Sequence, residues 1–359
     1  LSKVISMSRV RFVVCIVVVL AAALLGVLQR RSLAASPAAD GPTFSVTIGG
    51  AFLRPEPSLI ASSTQPVFAN QSFPVVGRTA DRRWLQLNAP GAPGWILAAY
   101  GVLKGNLSAT PVLTASLKPA LTRAPASLPR WIPAITPRMR QLYQQSAKAG
   151  RDLSMFTVVG DCNSESTAYL GRLAAGTFQL SKGQEYLQAS ITRFAAAFPR
   201  ASLATHGSFG AMAMFDGTWA DPAQCLPDEG PLACELRVSK ASIVFIALGT
   251  GDQYAWKDFE QNERAVIDFV LKAGALPVLV TKADDLETHS GAPSGAINSV
   301  IRRLGKEYGV PVLDFWAATR TLPNYGLRNE GNDNFHMTPA GSDTRILATL
   351  QTLAALTGR

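Results

Sequence analysis

Three side chains in the C-terminal half have the chemistry of nucleophilic catalysis. Cys162 carries a thiol just past the apolar run 155–159, in Gly160-Asp161-Cys162-Asn163-Ser164, while Asp333 and His336 stand three residues apart ahead of the last helical pattern. A nucleophile needs a base within hydrogen-bond reach, the base needs an acceptor that orients it, and the oxyanion that forms needs fixed donors. The Asp-x-x-His spacing lets one loop present carboxylate and imidazole together. Backbone N–H groups at Cys162 and at Gly210, in His206-Gly207-Ser208-Phe209-Gly210, offer two oxyanion donors. Each residue also has a plainer reading. Free cysteine is among the most buried residue types, and Gly207 and Gly210 equally fit a tight turn. His206 is placed to line a pocket without taking part, and His289, in the polar stretch ADDLETHS, reads as a loop residue.

These residues must be positioned by what lies between them. Apolar runs at 155–159, 241–248, 276–280 and 310–315 are each long enough for a strand, and a shorter one, SLAT, precedes His206. Helical periods separate them. Val266, Phe269 and Val270 share a face with Gly274 as the stop, Ile297, Val300, Ile301 and Leu304 make a second stripe, and Ile346, Leu347, Leu350 and Leu353 a third. Apolar strands alternating with helices predict a parallel sheet covered on both faces, with its site at the carboxyl ends of the strands.

Four blocks in order now resemble the SGNH hydrolases, also called the GDSL family: Gly160-Asp161-Cys162, Gly207 to Gly210, Gly249-Thr250-Gly251-Asp252, and Asp333 to His336. The likeness runs from near Asp152 to the end of the chain. It implies an α/β fold, a flavodoxin-like three-layer α/β/α sandwich with a parallel sheet, and hydrolysis of an acyl or acetyl ester on a cell-surface carbohydrate or lipid. Cys162 would attack, His336 would carry the proton, Asp333 would orient the imidazole, Gly210 would hold the oxyanion and Asp161 would support the turn. The resemblance asks for no cofactor, and no Cys/His spacing here matches a zinc site. Two positions depart from the family: its serine is Cys162 and its oxyanion asparagine is Gly251. A thiolate attacks esters well if its pKa is lowered, but losing one oxyanion donor costs about 2.7–4 kcal/mol unless Asn163, Thr250 or Gln253 replaces it. The rival reading is a cell-surface or cell-wall binding protein that keeps the fold and has lost turnover.

The rest of the chain sets the compartment. Residues 1–39 hold Lys3, Arg9 and Arg11, then an uninterrupted apolar run over 12–28, then small residues: an export signal, either cleaved or kept as a membrane anchor. That places the protein outside the bacterial cytoplasm, anchored or secreted. Residues 40–105 alternate in short segments; Trp84 and Gly94-Trp95 resemble bacterial SH3-like domains, which bind cell-wall peptides or act as spacers, and the two tryptophans read first as core for so small a barrel. Residues 106–137 are a Pro-rich basic linker, and 138–359 the hydrolase-like unit. Of the net charge of +9, the segment before Asp40 and the stretch 82–151 hold fifteen cations without an acid, leaving −6 elsewhere. Basic residues beside an export signal and a linker argue against nucleic acid and for anionic lipid headgroups or wall polymers. In an exported chain, Cys225 and Cys234 are spaced to form a disulfide.

Overall fold

The structure, a computed structural model, describes residues 41–47, 51–58, 64–113, 125, 127–165, 169–331 and 333–358. The apolar run expected as signal or anchor lies outside them, and among the described residues no helix is long and apolar enough to cross a membrane. The chain first forms seven short strands, β1 (Thr43–Val46), β2 (Ala51–Leu53), β3 (Gln65–Val67), β4 (Ser72–Arg78), β5 (Trp84–Leu87), β6 (Gly94–Leu97) and β7 (Gly101–Lys104). Five pair antiparallel in the order β6-β5-β4-β1-β7, and β2 pairs with β3. Trp84 and Trp95 are each 4% exposed and are core.

The second unit is the parallel sheet. Its strands are β8 (Asp152–Gly160), β9 (Ala241–Ala247), β10 (Leu276–Val280) and β11 (Val312–Leu313), in the order β11-β10-β9-β8 with all pairs parallel. Successive side chains of a strand point to opposite faces, and the core divides accordingly. Phe156, Val158, Phe245, Val278 and Val280 pack on one side with Ile346, Leu350 and Leu353 of the helix Pro339–Thr357. Val159, Val244, Ile246 and Leu279 pack on the other with the helices Pro231–Ser239, Trp256–Lys272 and Ala296–Tyr308. The sheet is thus the middle of three layers.

Two expected strands are shorter than their sequence suggests. SLAT contributes one parallel bridge, Thr205 to Gly160 on the free side of β8. The cause is Glu235, fully buried, whose carboxylate accepts from the Leu203 amide, from Arg200 and from Thr157, and so holds this segment by a side chain instead of a ladder. The run 310–315 gives only Val312–Leu313, because the Asp314 carboxylate caps the next helix, Phe315–Thr319, by accepting from the Ala317 amide at 3.1 Å. With Thr205 counted as a strand position, chain order across the sheet is 2-1-3-4-5, the flavodoxin-like arrangement, with its switch point between β8 and β9.

The two units share one core. Phe44, Trp84, Trp95 and Tyr100 belong to the same buried cluster as Phe156, Phe194 and Leu350. Polar contacts cross the join: Tyr100 Oη donates to Ala174 O at 2.9 Å and Arg83 Nη1 to Arg193 O at 2.8 Å. Arg54, 1% exposed, lies against Gly176, whose φ of +70° is costly for any side chain and whose missing β-carbon makes room for the guanidinium. Residues of the basic segment join in at both ends, where Leu113 N donates to Arg78 O and Ile132 is buried. Gly176→Ala therefore puts a methyl group into the Arg54 guanidinium at a left-handed position. The expected result is a loss of about 2 kcal/mol or more, read as a lower urea midpoint by tryptophan fluorescence; an unchanged midpoint would show that the join bears no load.

Candidate active site

β8 ends at Gly160, where a side chain would collide with Ala247 O of the neighbouring strand at 2.6 Å. The chain then turns through the 3-10 segment Cys162–Ser164. Asp161, 4% exposed, accepts from the Asn163 amide at 3.0 Å and so caps this turn. Cys162 is half-buried and its thiol is free. The loop is clamped from two directions. Arg345, 5% exposed on the helix Pro339–Thr357, donates to Asn163 O and to Ser164 Oγ, with its guanidinium 4.5 Å from the Tyr169 ring centroid. The Asn163 carboxamide reaches across to the histidine loop, donating from Nδ2 to Phe335 O at 2.8 Å and accepting at Oδ1 from the Met337 amide at 2.9 Å.

The histidine loop is itself closed. His336 Nδ1 lies 2.8 Å from Asp333 Oδ1, the His336 amide donates to the same oxygen at 3.2 Å, and Arg328 holds Asp333 Oδ2 at 3.2 Å. Burial opposes the charge on Asp333, but the hydrogen bonds from the His336 ring and amide and from Arg328 outweigh it and hold the carboxyl below its usual range. An ionised Asp333 on Nδ1 fixes the proton there and leaves Nε2 as the acceptor. No hydrogen bond joins Cys162 to His336 in this resting arrangement; such contacts commonly tighten only with substrate in place.

Gly210 lies beside the same site. A β-carbon on it would sit 2.7 Å from Asp252 Oδ1, and that oxygen accepts from the Ala211 amide at 2.8 Å, so Asp252 of the third block carries the glycine turn of the second. Gly207 is open toward Cys162, the two β-positions being 3.7 Å apart. Gly251 is exposed and brings no side-chain donor to the site. Of the three candidate replacement donors, Asn163 has its carboxamide bonded to the histidine loop, Gln253 is buried in a 3-10 turn, and Thr250 lines a cavity beside the Cys162 turn. That cavity, of about 40 Å³, is lined by polar side chains such as Asp161, Lys282, Asp284 and Arg345 and by apolar ones such as Leu248, Val280, Phe315 and Met337; Cys162 and His336 do not border it. His206 is exposed on the rim and His289 stands in the turn Glu287–Ser290. The disulfide between Cys225 and Cys234 is formed, with Cα atoms 5.2 Å apart. Among the described residues no group of His, Cys, Asp and Glu is arranged to hold a metal ion.

No family model matches this chain, and no curated protein does. Among solved structures it is similar to a catalytic mutant of an acetylxylan esterase from Geobacillus stearothermophilus (14% identity, 55% of this chain and 93% of that one, TM-score 0.37). It is similar also to a GDSL-like lipase from Bacteroides thetaiotaomicron (10% identity, 60% of this chain and 98% of that one, TM-score 0.35).

From the sequence, attack on an ester by Cys162 was conditional on a lowered thiol pKa. That condition is not met: burial, and then the charge of Asp161, push the Cys162 thiol up to about 12 against a smaller pull from the Asn163 amide. Free thiolate is therefore scarce at neutral pH. Sequence reasoning also missed the clamps. Asn163 looked like a spare donor, and nothing in the sequence singled out Arg345.

A buried acid pair lies beneath the glycine turn. Burial raises Asp252 to about 6, and burial together with the charge of Asp252 raises Glu263 to about 8. Asp252 Oδ2 and Glu263 Oε2 have no protein hydrogen-bond partner. Both pKa values exceed those of the unfolded chain, so between about pH 4 and the folded values the native state holds protons the unfolded state has lost. Stability then falls as pH rises through that window, by up to about 1.4 kcal/mol per pH unit per proton. Glu263→Gln should flatten this slope: its stability relative to the parent grows from pH 5 to pH 8 and then levels, measured by urea denaturation, whereas a pH-independent difference would place the proton elsewhere. Asn163→Ala removes both bonds to the histidine loop, each worth about 1 kcal/mol, and amide exchange over 333–337 should accelerate selectively.

Proposed function

We propose that this chain is an extracytoplasmic ester hydrolase of the SGNH/GDSL type, with Cys162 at the nucleophile position, acting on a short acyl or acetyl ester of a cell-surface carbohydrate or lipid. The observation that carries this reading is the Asp333–His336 couple, closed at 2.8 Å and fastened to the Cys162 loop by both ends of Asn163. In the reaction, Cys162 Sγ adds to the ester carbonyl as His336 Nε2 takes its proton, and ionised Asp333 stabilises the imidazolium. The oxyanion is held by the Gly210 and Cys162 amides, with Thr250 as the added donor. His336 returns the proton to the departing alkoxide, leaving a thioester; water, deprotonated by His336, then releases the carboxylic acid and restores the thiol. The disulfide fits an oxidising compartment, and an SH3-like N-terminal unit would bring the site to wall polymers or anionic membrane surfaces.

A non-catalytic binding protein is the second reading, favoured by a thiol near 12 and by Gly251. Turnover of p-nitrophenyl acetate by the full chain separates the two. The hydrolase reading expects release of p-nitrophenol that falls at least about a hundredfold in Cys162→Ala and in His336→Ala. A silent parent that gains activity as Cys162→Ser identifies the thiol as the lesion in an otherwise competent site, while silence in all variants supports the binding protein.

A further inference from the structure

The surface beside Cys162 is aromatic. Trp219 is 46% exposed, and the exposed His206 ring lies 6.4 Å from it, one residue before the glycine that faces the Cys162 β-carbon. Buried Phe209 supports both: its ring meets Trp219 edge-on at 6.0 Å and 89°, and His206 at 5.3 Å.

The loop that presents Trp219 is braced far more than a surface loop requires. Asp216 caps its turn by accepting from the Thr218 amide at 2.9 Å and hydroxyl at 2.7 Å. Cys225 is bridged to Cys234 on the helix Pro231–Ser239, and Arg237 of that helix binds both oxygens of Glu229 at 2.8 Å and Gln224 O at 2.8 Å. An apolar side chain held rigidly in solvent costs free energy in the free protein and lowers the ordering cost of binding. The surroundings of the indole are polar, with the His206 ring, Asp216 and Thr218 close at hand.

We infer that Trp219 and His206 form a preorganised platform for a pyranose ring, so that the ester presented to Cys162 is carried by a saccharide and not by a lipid. The polarised C–H hydrogens of a pyranose face meet the negative face of an indole, and its equatorial hydroxyls need polar groups around the ring. This platform supplies both. The inference rests on the reading of the site as an ester hydrolase for its purpose, but not for its test, since binding of a saccharide without an ester requires no turnover.

The full chain is titrated by calorimetry with xylotetraose, cellotetraose and chitotetraose. At least one is expected to bind, about tenfold or more weakly in Trp219→Ala and within about threefold of the parent in Trp219→Phe. The indole N–H resonance of Trp219, assigned by its loss in Trp219→Phe, is expected to shift on titration, which tests the contact without a truncated side chain. Absence of binding by all three, or binding with the Trp219 resonance and the Trp219→Ala affinity unmoved, would overturn the platform. An inactive enzyme that still binds through Trp219 would sink the hydrolase reading alone.

Discussion

The Asn163 carboxamide has one donor group and one acceptor at its tip, and both are satisfied by the backbone of a loop more than 170 residues further along the chain. Because a planar amide can make this pair of bonds only at one distance and one orientation, it sets the height of His336 over the carboxyl end of β8. Arg345 holds the same turn from below, so the loop is fixed between a helix and a second loop. The sheet supplies the place, at the switch point of strand order, where connections diverge and a crevice opens. Without the carboxamide, the two halves of the site would share a neighbourhood but no register.

That register is combined with a thiol that is reluctant to ionise. Burial disfavours the thiolate, and Asp161, needed to cap the turn, adds a like charge nearby. A serine hydroxyl in the same position would feel the same surroundings with little consequence, since it is never expected to ionise ahead of attack. Under the proposed reaction, such a turn would favour proton transfer concerted with attack over a preformed thiolate. The acid pair of Asp252 and Glu263 follows the same economy, because one carboxylate both supports the Gly210 turn and burdens its neighbour.

Much of this was legible in the sequence, for definite reasons. Continuous apolar runs such as 276–280 mark strands buried on both faces, and Leu276–Val280 is the observed strand. The disulfide was readable from spacing and compartment. Asp333 and His336 lie on one short loop, so their contact is nearly local. Pairings across long sequence distances were not legible: nothing near Asn163 names Phe335, and nothing in SLAT reveals that Glu235 will hold it. The direction of the Cys162 shift was equally hidden, since it depends on how much of the loop is covered. Pattern also failed at 310–315, where Asp314 serves as a cap although its neighbours on both sides favour a strand.

The continuous core beneath the N-terminal strands and the parallel sheet bears on the order in which the protein can be made. A chain that appears from its N-terminal end delivers Trp84, Trp95 and Tyr100 well before Phe156, Phe194 and Leu350, with which they are finally buried. During that interval the first unit has an uncovered aromatic side, and its Arg54 has no Gly176 to lie against. Such a surface is prone to aggregate while it waits. The last helix, Pro339–Thr357, completes the shared core and brings Arg345 to the Cys162 turn in one step. Closure of the core and bracing of the Cys162 turn therefore depend on the same helix, and a chain halted before it would lack both.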